Sequence, residues 1–472
     1  MAGFPVHPDD GTPTLRGSPP QQGPHPAPSW TALRWLIILV FGLTGARAPG
    51  AESAGSKPPS GDFFTAGPDG ENTLPADRMH PRGRLFPFWG YSGSFTREKE
   101  SGFTIGGPHY GGHENQLAAR QQSLKAGLPY LFHIGLPGTF VAGTLTAAPD
   151  TWADAVARQV RSALVEDGVA AWVIHPEELR MWRAHEREYL RVVTETIRAH
   201  DPEQRPIFMY EPNNRTADSM VQSARHLDVV TRGAYVQATG FQNERAWVRW
   251  VMGQQVEAAR RLREQDGQHR PCWLIAQLSQ DPEDPADDAH IPAWVRHDVY
   301  AALISGARGV GIWSLWPRRA SVRRTYELWY GAYAQVAREL TGAQNLGQVF
   351  LFGEKKTDIG IRQISGPPNV TLWTGPRNEM ESETTHDAER AKHRHILPSA
   401  ASLELAWRGR RYVFICNSSP EPIELELSGW PAQGCMIEDA FTGNPVPFRP
   451  SLRWTLEPWG VKAWSFRSDA QP

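Results

Sequence analysis

The stretch AAWVIHPEELRMW, residues 170–182, does most to limit what this chain can fold into. It begins as a short apolar run, stops at His175-Pro176, sets Glu177 and Glu178 side by side, and continues as an amphipathic helix ending near His200. A strand that closes on an acid pair just ahead of a helix is the pattern found at the carboxyl ends of parallel strands in α/β barrels, where such folds keep their chemistry. Strand alternation puts Val173, His175 and Glu177 on one face and Trp172, Ile174 and Glu178 on the other. The bulkier set is expected to meet surrounding helices, which leaves Glu177 facing the barrel axis. The competing reading is that both glutamates, beside Pro176, only favour a helix N-terminus through its dipole.

The rest of the chain extends this pattern. Strand-like segments recur at 85–91, 102–110, 128–133, 170–177, 205–211, 227–237, 271–277 and 309–316. Helical apolar spacing lies between them, as at 152–166, 182–198, 246–263 and 294–305. A run of βα units over about 250 residues predicts a (β/α)8 TIM barrel, an α/β fold, across residues 80–345. From Gly347 the segments become short and extended, such as 411–416 and 423–427, with turn clusters like Asn417-Ser418-Ser419-Pro420 between them. This predicts a smaller antiparallel β-sandwich domain at 346–468, interrupted by a charged surface loop at 377–394.

Residues 1–60 are rich in Pro, Gly and Ser and stand outside the fold as a signal peptide and leader. Within them Arg34 precedes the apolar core 35–43, and Ala46-Arg47-Ala48 fits a signal-peptidase site. The core is too short to remain comfortably as a transmembrane helix, although retention as an anchor is the alternative. The expectation is an exported protein, periplasmic or extracellular, with no stable membrane insertion after cleavage. A formal net charge of −2 gives no basic field for nucleic acid. Three cysteines are too few for a disulfide scaffold: Cys272 is expected to be inert core, and Cys416 with Cys435 can pair in an oxidising compartment. Sequons stand at Asn214, Asn369 and Asn417.

The predicted strand ends collect polar and aromatic side chains: Trp89 and Tyr91, His109 and Tyr110, His133, His175 with the two glutamates, Tyr210 and Glu211, Tyr235 and Gln237, Gln277, Trp313 and Trp316. Each has a structural explanation alone; together, on one rim, they are costly unless wetted or bound to something. The 19 tryptophans add only a weak hint of aromatic binding surfaces. Neighbouring carboxylates among aromatic platforms suit glycosidic cleavage, in which one acid protonates the leaving oxygen while a second stabilises or attacks the positive sugar. Glu177 with Glu211 is the leading pair and Glu178 the further candidate. Glu211 can instead serve the loop containing Asn213, itself a candidate substrate contact. A carboxyl separation of about 5 Å implies retention and roughly 6.5–9.5 Å inversion.

Trp172 with Pro176-Glu177-Glu178, Arg205-Pro206 after His200-Asp201-Pro202, the run 271–277 and Gly306-Ala307-Arg308-Gly309-Val310-Gly311-Ile312-Trp313 together resemble the barrel of glycoside-hydrolase superfamily proteins that carry a C-terminal β-domain. The resemblance spans roughly 85–466 and implies a glycosidase acting on a poly- or oligosaccharide. It places an acid/base on Glu177 or Glu178 and a nucleophilic glutamate at the end of strand seven, where this chain has Gln277. The departure leaves three options: Glu211 or Asp228 supplies the second carboxylate, Asp281 reaches in from a loop, or the barrel binds carbohydrate without cutting it. A third class, a metal-dependent barrel hydrolase, would use His109, His133 and His175, though no H-x-H or H-E-x-x-H spacing supports it. No cofactor or metal is expected.

Overall fold

The computed structural model describes residues 86–91, 94–136, 140–141, 144–145, 149–166, 168–181, 183–212, 215–237, 244–278, 280–316, 323–373, 394–429, 436–447 and 452–467. The leader, Trp182, Asn213, Asn214, Cys435 and most of the charged loop therefore lie outside the described residues. The chain divides into two units, 1–57 and 58–472, and every described residue belongs to the second.

Its first part alternates strand and helix: β1 (Phe88–Gly90), α1 (Phe95–Glu100), α2 (His113–Lys125), β2 (Tyr130–Gly135), the short pair β3 (Phe140–Val141) and β4 (Thr144–Leu145), α3 (Trp152–Ala163), β5 (Val169–His175), α4 (Ala184–His200), β6 (Ile207–Phe208), α5 (Ala217–Ala224), β7 (Val230–Ala234), α6 (Trp247–Asp266), β8 (Cys272–Gln277), α7 (Ile291–Ile304), β9 (Ala307–Trp313), α8 (Tyr326–Thr341) and α9 (Leu346–Phe352). Two parallel sheets result, in the orders β1-β9-β8-β7 and β2-β5-β6. Backbone bonds tie their edges together. Thr104 N–H donates to Phe88 O at 2.9 Å and Gly106 N–H to Pro129 O at 2.8 Å; across the other gap, Asp228 N–H donates to Ile207 O at 2.8 Å and Gly233 N–H to Glu211 O at 3.0 Å.

β5 shows how sequence sets this arrangement. Ala171 and Val173 enter one apolar cluster with Trp89 and Phe208, while Trp172 and Ile174 enter another with α3 and α4. Burial on both faces is what a continuous apolar strand in a parallel sheet requires. The helices answer with apolar residues one turn apart, Trp152, Val156 and Val160 on α3 and Tyr189, Val193 and Ile197 on α4. α6 stops where Gly267 adopts the left-handed conformation, φ 75°, that suits a glycine after a helix.

Two expectations are corrected. The stretch 102–110 forms no strand among the described residues beyond one parallel bridge, Gly106 to Tyr130; Gly106-Gly107-Pro108 offers weak strand propensity and one missing N–H. The extended region does not begin at Gly347, which is buried inside α9.

The antiparallel strands follow: β10 (Glu354–Lys356), β11 (Gly360–Ser365), β12 (Asn369–Trp373), β13 (Arg394–Pro398), β14 (Ala400–Trp407), β15 (Arg410–Asn417), β16 (Ile423–Ser428), β17 (Ile437–Asp439), β18 (Pro445–Val446), β19 (Leu452–Leu456) and β20 (Val461–Arg467). They make a six-stranded sheet, β10-β14-β15-β20-β17-β18, a three-stranded sheet, β11-β16-β19, and the ribbon β12-β13. β15 is buried on both sides. Val413 and Ile415 pack with Leu425 and Leu427 of the three-stranded sheet, whereas Phe414 meets Phe350 of α9 at 4.4 Å between ring centres.

Cys272 and Cys416 are buried free thiols. Asn417, a sequon residue, is fully buried, and its amide nitrogen donates to the carbonyls of Glu421, Leu456 and Glu457 at 2.8–3.3 Å, so the folded protein does not offer it for glycosylation. Asn369 is exposed on β12.

Candidate functional site

Glu177 stands two residues past the end of β5 and is 5% exposed. Three side chains from other segments converge on its carboxylate. Tyr91, just past β1, donates from its hydroxyl to Oε1 at 3.1 Å. Tyr110 donates to Oε1 and Oε2 at 3.1 and 3.0 Å. His133 of β2 sets Nε2 3.3 Å from Oε1. Burial, followed by the charge of Glu177, raises both phenols well above their ordinary value, so they remain donors throughout the neutral range. His133 Nδ1 lies 3.2 Å from the carbonyl oxygen of His109. A carbonyl can only accept, so Nδ1 carries hydrogen, while Nε2 has no hydrogen-bond partner among the described residues.

Glu178 occupies a left-handed backbone conformation, φ 59°, and its N–H donates to Tyr210 O at 3.1 Å. Burial and then repulsion from Glu177 push its carboxyl up to about 7, against the pull of Arg215 and Arg180. Adjacent acids therefore differ in surroundings, one accepting from two phenols and the other desolvated beside a negative neighbour. His175, at the end of β5, is lowered to about 4 by burial and then by His133, so its ring is neutral at pH 7.

Aromatic rings surround the pair. Tyr91 stacks on Tyr110 at 5.4 Å, and Tyr110 lies 5.2 Å from Trp316. On the other side Tyr210 stacks on Tyr235 at 6.1 Å and Tyr235 on Trp313 at 5.7 Å. Gln277 ends β8 beside Trp313; its Oε1 accepts from Gln237 N–H at 3.2 Å and its backbone oxygen from Tyr333 OH at 2.7 Å. Its Nε2, both amide atoms of Gln237 and Nδ1 of His175 are shut off from water, with no hydrogen-bond partner among the described residues.

No protein-family model and no curated protein matches this sequence. Solved structures that it is similar to include a GH30 endoxylanase from Clostridium papyrosolvens, with 9% identity over 81% of this chain and 97% of that one at a TM-score of 0.44. An alpha-amylase from Geobacillus thermoleovorans matches at 8% identity over 80% and 91%, TM-score 0.45. A maltogenic alpha-amylase from Thermotoga neapolitana matches at 11% identity over 81% and 99%, TM-score 0.42.

Several expected site residues stand elsewhere or do other work. Trp89 is fully buried between Phe208 and Trp273, at 5.6 and 6.3 Å, so it plugs the interior and does not wall a site. Gly311 makes room for it, since a Cβ there would meet the Trp89 indole at 2.4 Å. Glu211 is 3% exposed, with Oε2 3.4 Å from Arg215 Nε and Oε1 accepting from Ser223 of α5. β6 is only two residues long, so strand alternation does not extend to Glu211, and its carboxylate serves α5 and the loop before it. Burial, outweighing Arg215, pushes it up to about 7. Asp228 precedes β7, at the far end of that strand, and accepts from Ile207 N–H at 2.9 Å and Arg198 at 3.1 Å. Asp281 accepts from Thr325 N–H at 3.1 Å at the start of α8. The three histidines do not surround one point: His109 offers His133 its carbonyl, while its own Nδ1 lies 3.0 Å from Tyr110 O.

Gln116 of α2 is a site residue that sequence reasoning missed. Its Oε1 accepts from Tyr130 OH at 2.8 Å and from His133 N–H at 3.4 Å, and its amide nitrogen donates to His109 O. It thereby fixes the carbonyl that sets the His133 ring.

Proposed function

We propose that this protein is an exported glycosidase, built on a closed (β/α)8 barrel, that hydrolyses glycosidic bonds by a two-carboxylate mechanism centred on Glu177 and Glu178. The hydrogen bonds joining the two parallel sheets at 104–106 and at 228–233 support the barrel. The observation that carries the chemistry is the unequal pair of adjacent acids beside a cluster of aromatic rings. Glu178, raised to about 7, retains a proton at neutral pH and acts as general acid on the departing glycosidic oxygen. Glu177, which accepts from Tyr91 and Tyr110 with His133 beside it, faces the positive charge that develops on the sugar ring. The unmatched amides of Gln237 and Gln277 and Nδ1 of His175 supply hydrogen-bonding capacity suited to sugar hydroxyls. Trp313, Trp316 and Tyr235 offer faces for the apolar side of a pyranose.

The test is a panel of plant, algal, bacterial and animal glycans incubated with purified protein, read as released reducing ends. Glu177→Gln and Glu178→Gln are expected to abolish release from whichever glycan is cut while keeping its binding. Binding without release by the unaltered protein would replace this reading with that of a carbohydrate-binding protein, and turnover unchanged in either variant would remove that residue from the mechanism.

A further inference from the structure

At the opposite end of the strands from Glu177, where β8 and β9 begin, lies a cavity of about 270 Å³ lined by Arg260, Arg263, His269, Arg270, Cys272 and Arg308. No carboxylate lines it among the described residues. Two of its arginines are answered from outside the lining. Arg260 pairs with Glu257 at 2.8 Å and with Glu264, and Arg270 pairs with Asp266 at 2.7 Å and donates to Leu227 O at 2.9 Å. Arg263 and Arg308 have no carboxylate partner among the described residues. Among the described residues Arg308 donates to the carbonyl of the preceding residue, Ala307, at 2.9 Å.

Burial draws the Arg308 guanidinium below its usual range. The one group in the lining able to become an anion, the Cys272 thiol, is pushed by burial up to about 12 and remains neutral. Arg308 is half-buried and its planar fork matches the paired oxygens of phosphate or sulfate. We propose that this cavity binds a small oxyanion, a phosphate or sulfate group free or esterified to a small molecule, between Arg263 and Arg308. Its volume lies just under the range of about 300–1,000 Å³ typical of small-molecule pockets, which favours one ionic group with a small body over a polymer. The site stands apart from the glycosidase reading and does not depend on it.

The experiment is thermal denaturation and calorimetry of the full chain against sodium phosphate, sodium sulfate and glucose 6-phosphate, with sodium chloride at matched ionic strength. Saturable stabilisation beyond chloride is expected. A phosphate group that binds as well alone as in its ester identifies a free-ion site, and tighter binding of the ester identifies a metabolite site. Arg263 is exposed on the last turns of α6, so Arg263→Gln leaves the fold intact, and it is expected to weaken binding about tenfold; Arg308→Lys, which keeps charge but loses the fork, is expected to weaken it similarly. Stabilisation no greater than that of chloride, or affinity unchanged in Arg263→Gln, overturns the proposal.

Discussion

Under the C-terminal sheets, His297 of α7 uses both ring nitrogens, Nδ1 toward Asp298 at 3.1 Å and Nε2 toward Ser418 at 2.9 Å, and Arg245 adds a bond to the same Asp298 at 3.0 Å. At the strand ends, His175 leaves Nδ1 unmatched, and Gln237 and Gln277 present amide atoms to nothing among the described residues. Both regions put polar groups out of water, which is costly unless they are paired. The first is complete within the chain and joins α7 to the turn after β15. The second is half complete: Glu177 accepts from two phenols while its neighbours are left with capacity to spare. That contrast separates a polar cluster that holds the fold together from one shaped to receive something.

The largest effect expected is on turnover. If the strand-end cluster is the chemical one, Glu177→Gln loses roughly 10²–10⁴-fold in the rate of reducing-end release while the melting temperature hardly moves. Asp298→Ala should do the reverse. It leaves Arg245 buried without its partner, a change that costs about 3–5 kcal/mol, read by urea denaturation, while kcat of the folded fraction stays as it was. A fall in kcat there, at unaltered fold, would mean that the two regions are coupled and would break the comparison.

How far each region was legible follows from its chemistry. β5 and the helices after it announce themselves because they bury apolar residues at regular spacing. α2 is opaque for the opposite reason: it turns Gln116, Arg120 and Ser123 inward, and each is held by a particular partner, Arg120 by Glu166 at 2.7 Å and Ser123 by Leu128 O at 2.9 Å. No hydrophobic period marks such a helix, so the residue that positions His109 and His133 cannot be found from pattern. Glu177 is readable because it ends a strand of unmistakable type. Glu211 misleads because the strand before it is only two residues long, so no alternation fixes the face its carboxylate takes. The interface around Asp298 and Ser418 joins segments more than a hundred residues apart, which no local signal reports.

A smaller effect, on the order of 3 kcal/mol per group, is expected from pH. Glu178 and Glu211 are each raised from 4.5 to about 7, burial being the first cause. Between those two values the folded protein holds a proton that the unfolded chain has already released. Their contribution to stability is therefore fully present below about pH 4.5 and declines as pH rises toward 7. Either Glu→Gln change should flatten that decline in a melting-temperature series. Only Glu178→Gln should also abolish turnover, and Glu211→Gln should keep the wild-type loss of turnover above about pH 7, because Glu178 is the proton donor. An alkaline limb that vanishes with Glu211→Gln would transfer the acid's role to Glu211.

The smallest effect bears most directly on the contrast between the regions. Gln277→Met keeps the side-chain volume and removes the Nε2 that has no partner, at the loss of one bond from Gln237 N–H. Removing a polar atom that the fold does not use should leave the melting temperature within a few degrees of its starting value, since the lost bond and the relieved desolvation are each worth only about 1 kcal/mol. The same change should weaken glycan binding about tenfold if that nitrogen meets a sugar hydroxyl. At His297 the balance is opposite: His297→Leu strips partners from both Asp298 and Ser418, so its cost falls on stability with binding untouched. Equal loss of stability in the two variants would show that the amide at the end of β8 is structural after all, and that the unmatched atoms around it are not waiting for a ligand.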